Sequence, residues 1–454
     1  MDSRSAPRWI NSLILAGFAS LVNGALSTGC APLDDGSGGS SPSSKERLFL
    51  GTGEYSAATD WHGLLRFEDI SGVSGTDTLT PDETLNTKAL TDVTSGYHLN
   101  FGHGIFHRDS RDELYMAMIF TRQSSTGHQC AESPTGLGPG GTNSRCGSIA
   151  MFSSASSIDS ASTQARHLVG ASTLIKQPHG VWVDTVLDQL YVTSTFSGYS
   201  DTGSGMTFVS GGDILVFNDA STVDGDVAPN RRIPMPGYCA PIYAFVEPNE
   251  DLLFVACAPM QPGVGDTASV LIYRDASTLN VGPPPPAPLY RITGDTTRIT
   301  LGNNKTGHNV WYDHAKKLMF FGHHTNEILI FDLSSVNLTI AAGSTADLTS
   351  LVPRVVYINE DTSGADQYSW SLYGLFYLAS QDRLYVSAGY TGSGSPSSTQ
   401  SGNPGTPGDS RNAVKVWNNI SDTSIKEYSA PDRLIQYSNS STFYPPQPLW
   451  VVEH

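Results

Sequence analysis

Five segments of the chain share one pattern of apolar and polar positions. They are GIFHRDSRDELYMAMI (104–119), GVWVDTVLDQLYVTST (180–195), YAFVEPNEDLLFVACA (243–258), NVWYDHAKKLMFFGH (309–323) and GLFYLASQDRLYVSAG (374–389). Each opens with an apolar run around a central aromatic: Phe106, Trp182, Phe245, Trp311 or Phe376. A polar turn follows, then a second apolar run from Leu114, Leu190, Leu253, Leu318 or Leu384. The aromatic-to-leucine spacing is 8, 8, 8, 7 and 8 residues. Two short apolar runs joined by a polar turn predict a β-hairpin. Continuous rather than alternating apolarity predicts strands buried on both faces. A third strand is predicted after each hairpin, in SIAMFSSAS (148–156), DILVFNDAS (213–221), SVLIYRDAS (269–277), EILIFDLSS (327–335) and AVKVWNNIS (413–421). A fourth follows, as in RRIPM, LYRIT, RVVYI and RLIQY. Four antiparallel strands recurring about every 68 residues predict propeller blades.

The two ends of this region supply one more blade. PQPLWVVEH at the C-terminus copies the first strand, with Trp450 at the aromatic position. RLFLGTG (47–53) copies the second strand, and HGLLRFEDIS (62–71) the third. The predicted fold is therefore all-β, a six-bladed propeller over 47–454. Its last blade takes its inner strand from the C-terminus and its outer strands from the N-terminus. Such closure removes the open edge that would otherwise aggregate.

The run PHGVWVDTVLDQLYVTS, followed by GDILVFNDASTVDGDVAPNRRI, resembles the NHL family of propeller repeats. That family includes scaffolds, ligand binders and lyases, so the resemblance implies a fold and leaves the function open.

In a propeller, the residues just before each inner strand ring one mouth of the central channel. Here they are His103, His179, Ile242, His308, Tyr373 and Gln447. Neutral imidazoles converging from different strands suit zinc or another divalent metal. The ring is similar to that of the propeller lyase that cleaves peptidyl-hydroxyglycine. That likeness implies His103, His179 and His308 as metal ligands and Tyr373 as the nearest candidate base. The ring carries no arginine for a substrate carboxylate. In the competing reading, Pro-His-Gly is an ordinary repeat spelling whose imidazole only hydrogen-bonds the next blade. The connections 120–147, 196–211, 258–268 and 390–411 fall on the same face and are expected to be binding loops. Asp184 and Asp313 fall at the far ends of inner strands, where they are expected to cap the hairpin turns.

Composition narrows the partners. The 454 residues carry 26 Lys+Arg against 43 Asp+Glu, a formal net charge of −17. A chain this acidic lacks the basic footprint of nucleic-acid binding. It holds no G-x-S-x-G elbow, P-loop or H-E-x-x-H.

The first 29 residues read as an export signal. Arg4 and Arg8 precede INSLILAGFASLVNGAL, the n-region and h-region pattern of a signal peptide. Gly29-Cys30 then resembles the bacterial lipobox, which implies lipidation of Cys30; ordinary cleavage near Ala25 is the alternative. Residues 30–46 read as the lipidated cysteine and a flexible Gly/Ser linker. Ala31, where Asp would favour inner-membrane retention, points to the outer membrane. The remaining cysteines, Cys130, Cys146, Cys239 and Cys257, are even in number, as two disulfides would require in an exported protein. Four free buried thiols are the alternative.

The sequence thus predicts an exported propeller held to a membrane by lipid alone. It would bind a small molecule or a protein through its His-bearing face. A metal-dependent lyase or hydrolase, and a structural envelope or adhesion scaffold, are the competing readings.

Overall fold

In the computed structural model, residues 45–52, 63–86, 97–123, 147–170, 172–201, 206–235, 240–258, 268–279, 287–299, 307–323, 327–339, 345–358, 370–390, 413–425, 429–437 and 446–454 are described. Their strands run in chain order. β1 (Glu46–Thr52), β2 (Gly63–Phe67), β3 (Gly75–Leu79) and β4 (Glu83–Asn86) come first. Blade I holds β5 (Tyr97–Arg108), β6 (Glu113–Gln123), β7 (Ser148–Ser153) and β8 (Arg166–Leu168). Blade II holds β9 (Pro178–Asp184), β10 (Gln189–Asp201), β11 (Met206–Phe217) and β12 (Arg231–Pro234). Blade III holds β13 (Ala240–Glu247), β14 (Leu252–Ala258), β15 (Ser269–Arg274) and β16 (Tyr290–Ile292). Next come β17 (Gly307–Asp313), β18 (Leu318–His323), β19 (Glu327–Asp332), β20 (Ala346–Leu348) and β21 (Arg354–Tyr357), all but β20 forming blade IV. Blade V holds β22 (Trp370–Leu378), β23 (Arg383–Tyr390), β24 (Ala413–Trp417) and β25 (Arg433–Tyr437). Finally β26 (Pro446–Glu453) joins β1, β2 and β4 as blade VI.

The six inner strands, β5, β9, β13, β17, β22 and β26, each pack against the next, and β26 packs against β5, so the ring is closed. The closing blade is the one expected from the matched termini. Trp450 pairs with Phe49 across β26 and β1. Lys45 and His454 exchange backbone hydrogen bonds at 3.0 and 2.9 Å. The sheet therefore takes in Lys45 and Glu46 ahead of the predicted start at 47.

Two blades carry a fifth strand that the repeat pattern did not predict. β20 leaves blade IV and pairs in parallel with β16 on the outer edge of blade III. β3 leaves blade VI and pairs in parallel with β25 on the outer edge of blade V. Blade II sends a smaller version to blade I, a parallel bridge from Gly225 to Leu168. The blades thus work in pairs, the second of each pair strapping the edge of the first. Covered edges cannot template pairing with another chain.

Neighbouring blades are also locked by side chains. Arg166 donates through Nη1 to the carbonyls of Ala220 and Val223 in blade II at 2.7 and 3.1 Å. Tyr115 donates to the same Ala220 carbonyl at 3.1 Å, with the Arg166 guanidinium 5.8 Å from its ring centre. Arg231 and Tyr191 repeat the arrangement on Ala276 of blade III. Arg354 reaches the carbonyls of Ile420, Asp422 and Ile425 in blade V.

The hairpin turns at the ends of the inner strands are stapled in the same repetitive way. Asp112, Asp188, Asp251 and Asp382 occupy the left-handed region at φ 52, 55, 52 and 52°. Aspartate tolerates that conformation better than most residues. Each carboxylate accepts the hydroxyl of a serine three or four residues past the third strand: Ser156, Ser221, Ser277 and Ser421, at 2.6, 2.6, 2.7 and 2.5 Å. Asp184 and Asp313 cap the turns as expected. The Asp184 carboxylate accepts the N–H groups of Val186 and Leu187, and the Asp313 carboxylate that of Lys316.

Candidate functional site

Each inner strand carries a β-bulge at the same level, and the ring residues occupy it. Gly102 pairs with Met118 and Gly104 with Ala117, leaving His103 as the extra residue. Ile242, His308 and Tyr373 are extra in the same way in β13, β17 and β22. In β9, His179 and Gly180 lie between the pairs made by Pro178 and Val181, opposite Thr193 alone. In β26, Gln447 and Pro448 lie between the pairs made by Pro446 and Leu449, opposite Gly51 alone. The ring therefore sits within the inner strands, where the sequence placed it just ahead of them. Pairing continues past the bulge toward the mouth, so the strands begin earlier than their apolar runs. A bulge leaves one residue out of the ladder and re-aims its side chain.

Close packing between blades holds the bulges in place. A Cβ on Gly104 would lie 2.6 Å from the His179 carbonyl oxygen, and one on Gly374 would lie 3.0 Å from the Leu449 nitrogen. Both glycines follow a bulge residue and face the bulge of the next blade. Backbone approaches backbone there, which leaves no room for a side chain.

His179, His308 and Tyr373 are partly exposed at this level. Tyr373 lies beside His308, their rings edge-on with centroids 6.1 Å apart. Ile242 is buried with Ala240 and Ala258 in a small apolar cluster of its own, apart from the main core. The side chains of His103 and Gln447 lie outside the described ones. In the closed order of blades, His103 and His179 are neighbours and His308 stands across the ring from His103. Among the described residues, no three His, Cys, Asp or Glu side chains are grouped to hold a metal ion. Tyr243, next to Ile242, is wholly enclosed, and burial pushes its phenol above the ordinary range.

Three residues beyond the ring, the aromatics of the repeat converge and fill the channel. In blade order they alternate: Phe106, Trp182, Phe245, Trp311, Phe376, Trp450. The three tryptophans contact one another with centroids 5.2, 5.5 and 5.8 Å apart. Each phenylalanine lies between two of them at 4.6 to 5.2 Å. Trp311 Nε1 donates to the Leu375 carbonyl at 2.7 Å. The mouth is thus a cup floored by aromatic rings.

Among the described residues, strand pairing runs furthest toward the mouth in two adjacent blades, I and II. β5 and β6 stay paired as far as Tyr97 and Gln123, and β10 and β11 as far as Asp201 and Met206. Most of the expected loop 196–211 is therefore strand; register shifts near Phe196 and Gly198 let the hairpin bend and continue. The rest of the expected loops, 124–146, 202–205, 259–267 and 391–411, lie outside the described residues, as do Cys30, Cys130, Cys146 and Cys239. Cys257 is buried in β14 opposite Pro241.

Two buried acidic groups lie in third strands, Asp213 within β11 and Glu327 at the start of β19. Burial raises the Asp213 carboxyl above its usual range, although Arg232 contacts it at 2.7 Å. Glu327 is buried and accepts from Arg298 Nη2 at 2.7 Å. Arg298 also reaches the Tyr357 hydroxyl at 2.9 Å.

The fold and the mouth together define a six-bladed propeller with a plugged channel. No family model matches the chain, and no curated protein matches it. Among solved structures, it is similar to a candidate 6-phosphogluconolactonase from Bacteroides uniformis. The two share 11% identity over 90% of this chain and 100% of that one, with a TM-score of 0.41. It is also similar to the Cps50 (Swd1) β-propeller domain of Myceliophteria thermophila, at 10% identity over 76% of this chain and 89% of that one, with a TM-score of 0.34.

Proposed function

We propose that this protein is an extracytoplasmic binding propeller, carried on a lipid at Cys30, that takes a ligand or protein partner in the cup at its channel mouth. The observation that carries the reading is the sixfold bulge. Every blade spends one residue outside its ladder at the same level, and that residue is His103, His179, His308, Tyr373 or Gln447 in five blades out of six. A bulge costs ladder pairing, and three of these residues, His179, His308 and Tyr373, are partly exposed where something that enters the mouth can meet them. The aromatic floor three residues below closes the channel, so the geometry favours capture over passage.

The competing reading is a metal centre on His103, His179 and His308, with Tyr373 as base. It is favoured by the Tyr373 ring beside His308. One experiment separates the two. Metal content is measured on purified protein bearing Cys30→Ala, with and without His103→Ala/His308→Ala. Near-stoichiometric zinc that is lost in the double variant would establish the metal reading and direct substrate screening to lyases and hydrolases. Metal-free protein of unchanged thermal stability in both cases leaves the binding reading. That reading fails in turn if His179→Ala/Tyr373→Ala leaves capture of an identified ligand unaltered.

A further inference from the structure

The strand directions of blade VI separate the chain's point of attachment from its candidate binding mouth. β26 enters at the mouth, with the Gln447 bulge, and ends at Glu453 among the hairpin turns. β1 runs the opposite way, from Glu46 beside Glu453 to Thr52 beside Pro446. Lys45, bonded to His454, is therefore on the turn face, where the chain enters the propeller. The seven residues of β1 put about 20 Å between that face and the mouth.

We propose that the propeller is held with its turn face toward the bilayer and its mouth facing away, the bilayer being the one that carries the acyl chains of Cys30. The inference rests on the lipid-anchor reading above. A Gly/Ser-rich coil of 14 residues, the number between Cys30 and Lys45, has a mean span of about 20 Å. A mouth-down arrangement would require the tether to run outward across the blade and then up its side. That path is roughly 30–40 Å, well beyond the mean span of such a coil though within the about 46–50 Å that 14 residues reach when fully extended. Ordering it so far costs entropy that the turn-down arrangement does not.

One turn on this face is suited to touch lipid. The β9–β10 turn presents Val186 and Leu187, which are 75% and 48% exposed, at its tip. The corresponding turns of the other blades present polar or charged residues, such as Asp109 to Asp112 and His314 to Lys317. Leu174, just ahead of β9, is exposed on the mouth side and serves as the opposing reference point.

The test uses the full chain, lipidated in cells and reconstituted in phosphatidylcholine vesicles. An azide-bearing amino acid replaces Val186 or Leu174, so that a dye can be attached without using the cysteines. Energy transfer to an acceptor on the lipid headgroups is then read. Stronger transfer from position 186 than from 174 is expected; equal or reversed transfer overturns the orientation. Cys30→Ala is run beside them. If that variant still floats with the vesicles, or the unaltered chain does not, the anchor reading fails and the orientation falls with it.

Discussion

Glu46 and Arg433 lie 387 residues apart in the chain and form an ion pair at 3.3 Å with both side chains shut away from water. Arg383 reaches the same carboxylate from β23. The Arg433 guanidinium also donates to the Ile70 carbonyl at 2.8 Å. Three strands of blade V and blade VI thus meet at one buried glutamate from the first strand of the fold. In blade I the equivalent contact is local: Arg166 pairs with Glu113 of its own blade at 2.9 Å. At the seam, the partner is instead supplied by the chain that closes the ring.

Removing the carboxylate should open that seam. Glu46→Ala leaves two guanidinium groups without their shared anion, a change that typically costs about 3–5 kcal/mol when the pair is buried. Glu68→Ala removes the partly exposed partner of Arg47 and should cost at most about 1 kcal/mol. Thermal unfolding of the two variants checks this; equal shifts would mean that the buried pair does not govern closure.

The bulges should be intolerant of any side chain behind them. Gly104→Ala drives a methyl group into the His179 carbonyl, and relieving it should cost about 1–3 kcal/mol and move the His179 bulge. Gly72→Ala meets nothing within 4 Å and serves as the neutral control. Denaturant midpoints give the stability, and the amide shifts of 179–181 report the displacement. A Gly104→Ala protein as stable as the control would contradict the close approach.

The alternation of rings in the plug should show as coupling between neighbours. Phe245→Trp adds volume beside Trp311, whose centroid is 5.2 Å away, and should cost about 1–3 kcal/mol. Trp311→Phe leaves a void and strips the Leu375 carbonyl of its donor, at a similar cost. The double swap restores the volume, so its cost should fall below the sum of the two. Strict additivity in a double-mutant cycle would show that the rings do not share one packed space.

Acid should loosen the hairpin-turn face first. Burial raises the carboxyls of Asp112, Asp188 and Asp382, but hydrogen bonds from serine and from His107, Arg108 and Lys316 respectively outweigh it, and all three are held below the usual aspartate range. A carboxyl whose folded value is depressed stabilises the fold fully above its unfolded value, about pH 4, and loses that contribution as pH falls through the folded value. Stability from these groups should therefore be flat near neutrality and decline below about pH 4. The Asp112→Asn/Asp188→Asn/Asp382→Asn protein should be less stable at pH 7 and show a shallower acid limb. An acid limb of unchanged steepness would place the titrating groups elsewhere.

Much of this architecture was legible in the chain. The aromatic-to-leucine spacing marked the hairpins, and Trp450 at the aromatic position of an end strand gave the blade count and the closure. Strand interiors buried on both faces write their pattern directly into residue type, so Leu48 to Leu50 or Leu253 to Ala256 could be read without a structure. The ring of His103, His179, Ile242, His308, Tyr373 and Gln447 was legible too, because it keeps a constant offset from those aromatics.

Other features belong to the tertiary structure. A bulge is a difference in register between two strands, and neither strand's residue types reveal it; hence Tyr373 read as a residue ahead of a strand when it lies within one. The parallel straps β3 and β20 are short and polar, so their strand character comes from the edge they cover and not from their own composition. The pairing of Glu46 with Arg433 depends on which ends meet when six blades close. The separation of the tether's exit at Lys45 from the mouth at Gln447 depends on the direction of two strands that the chain joins only through the whole ring. Local burial leaves its mark on local sequence, whereas contacts made by ring closure join residues that share no sequence neighbourhood in which a pattern could form.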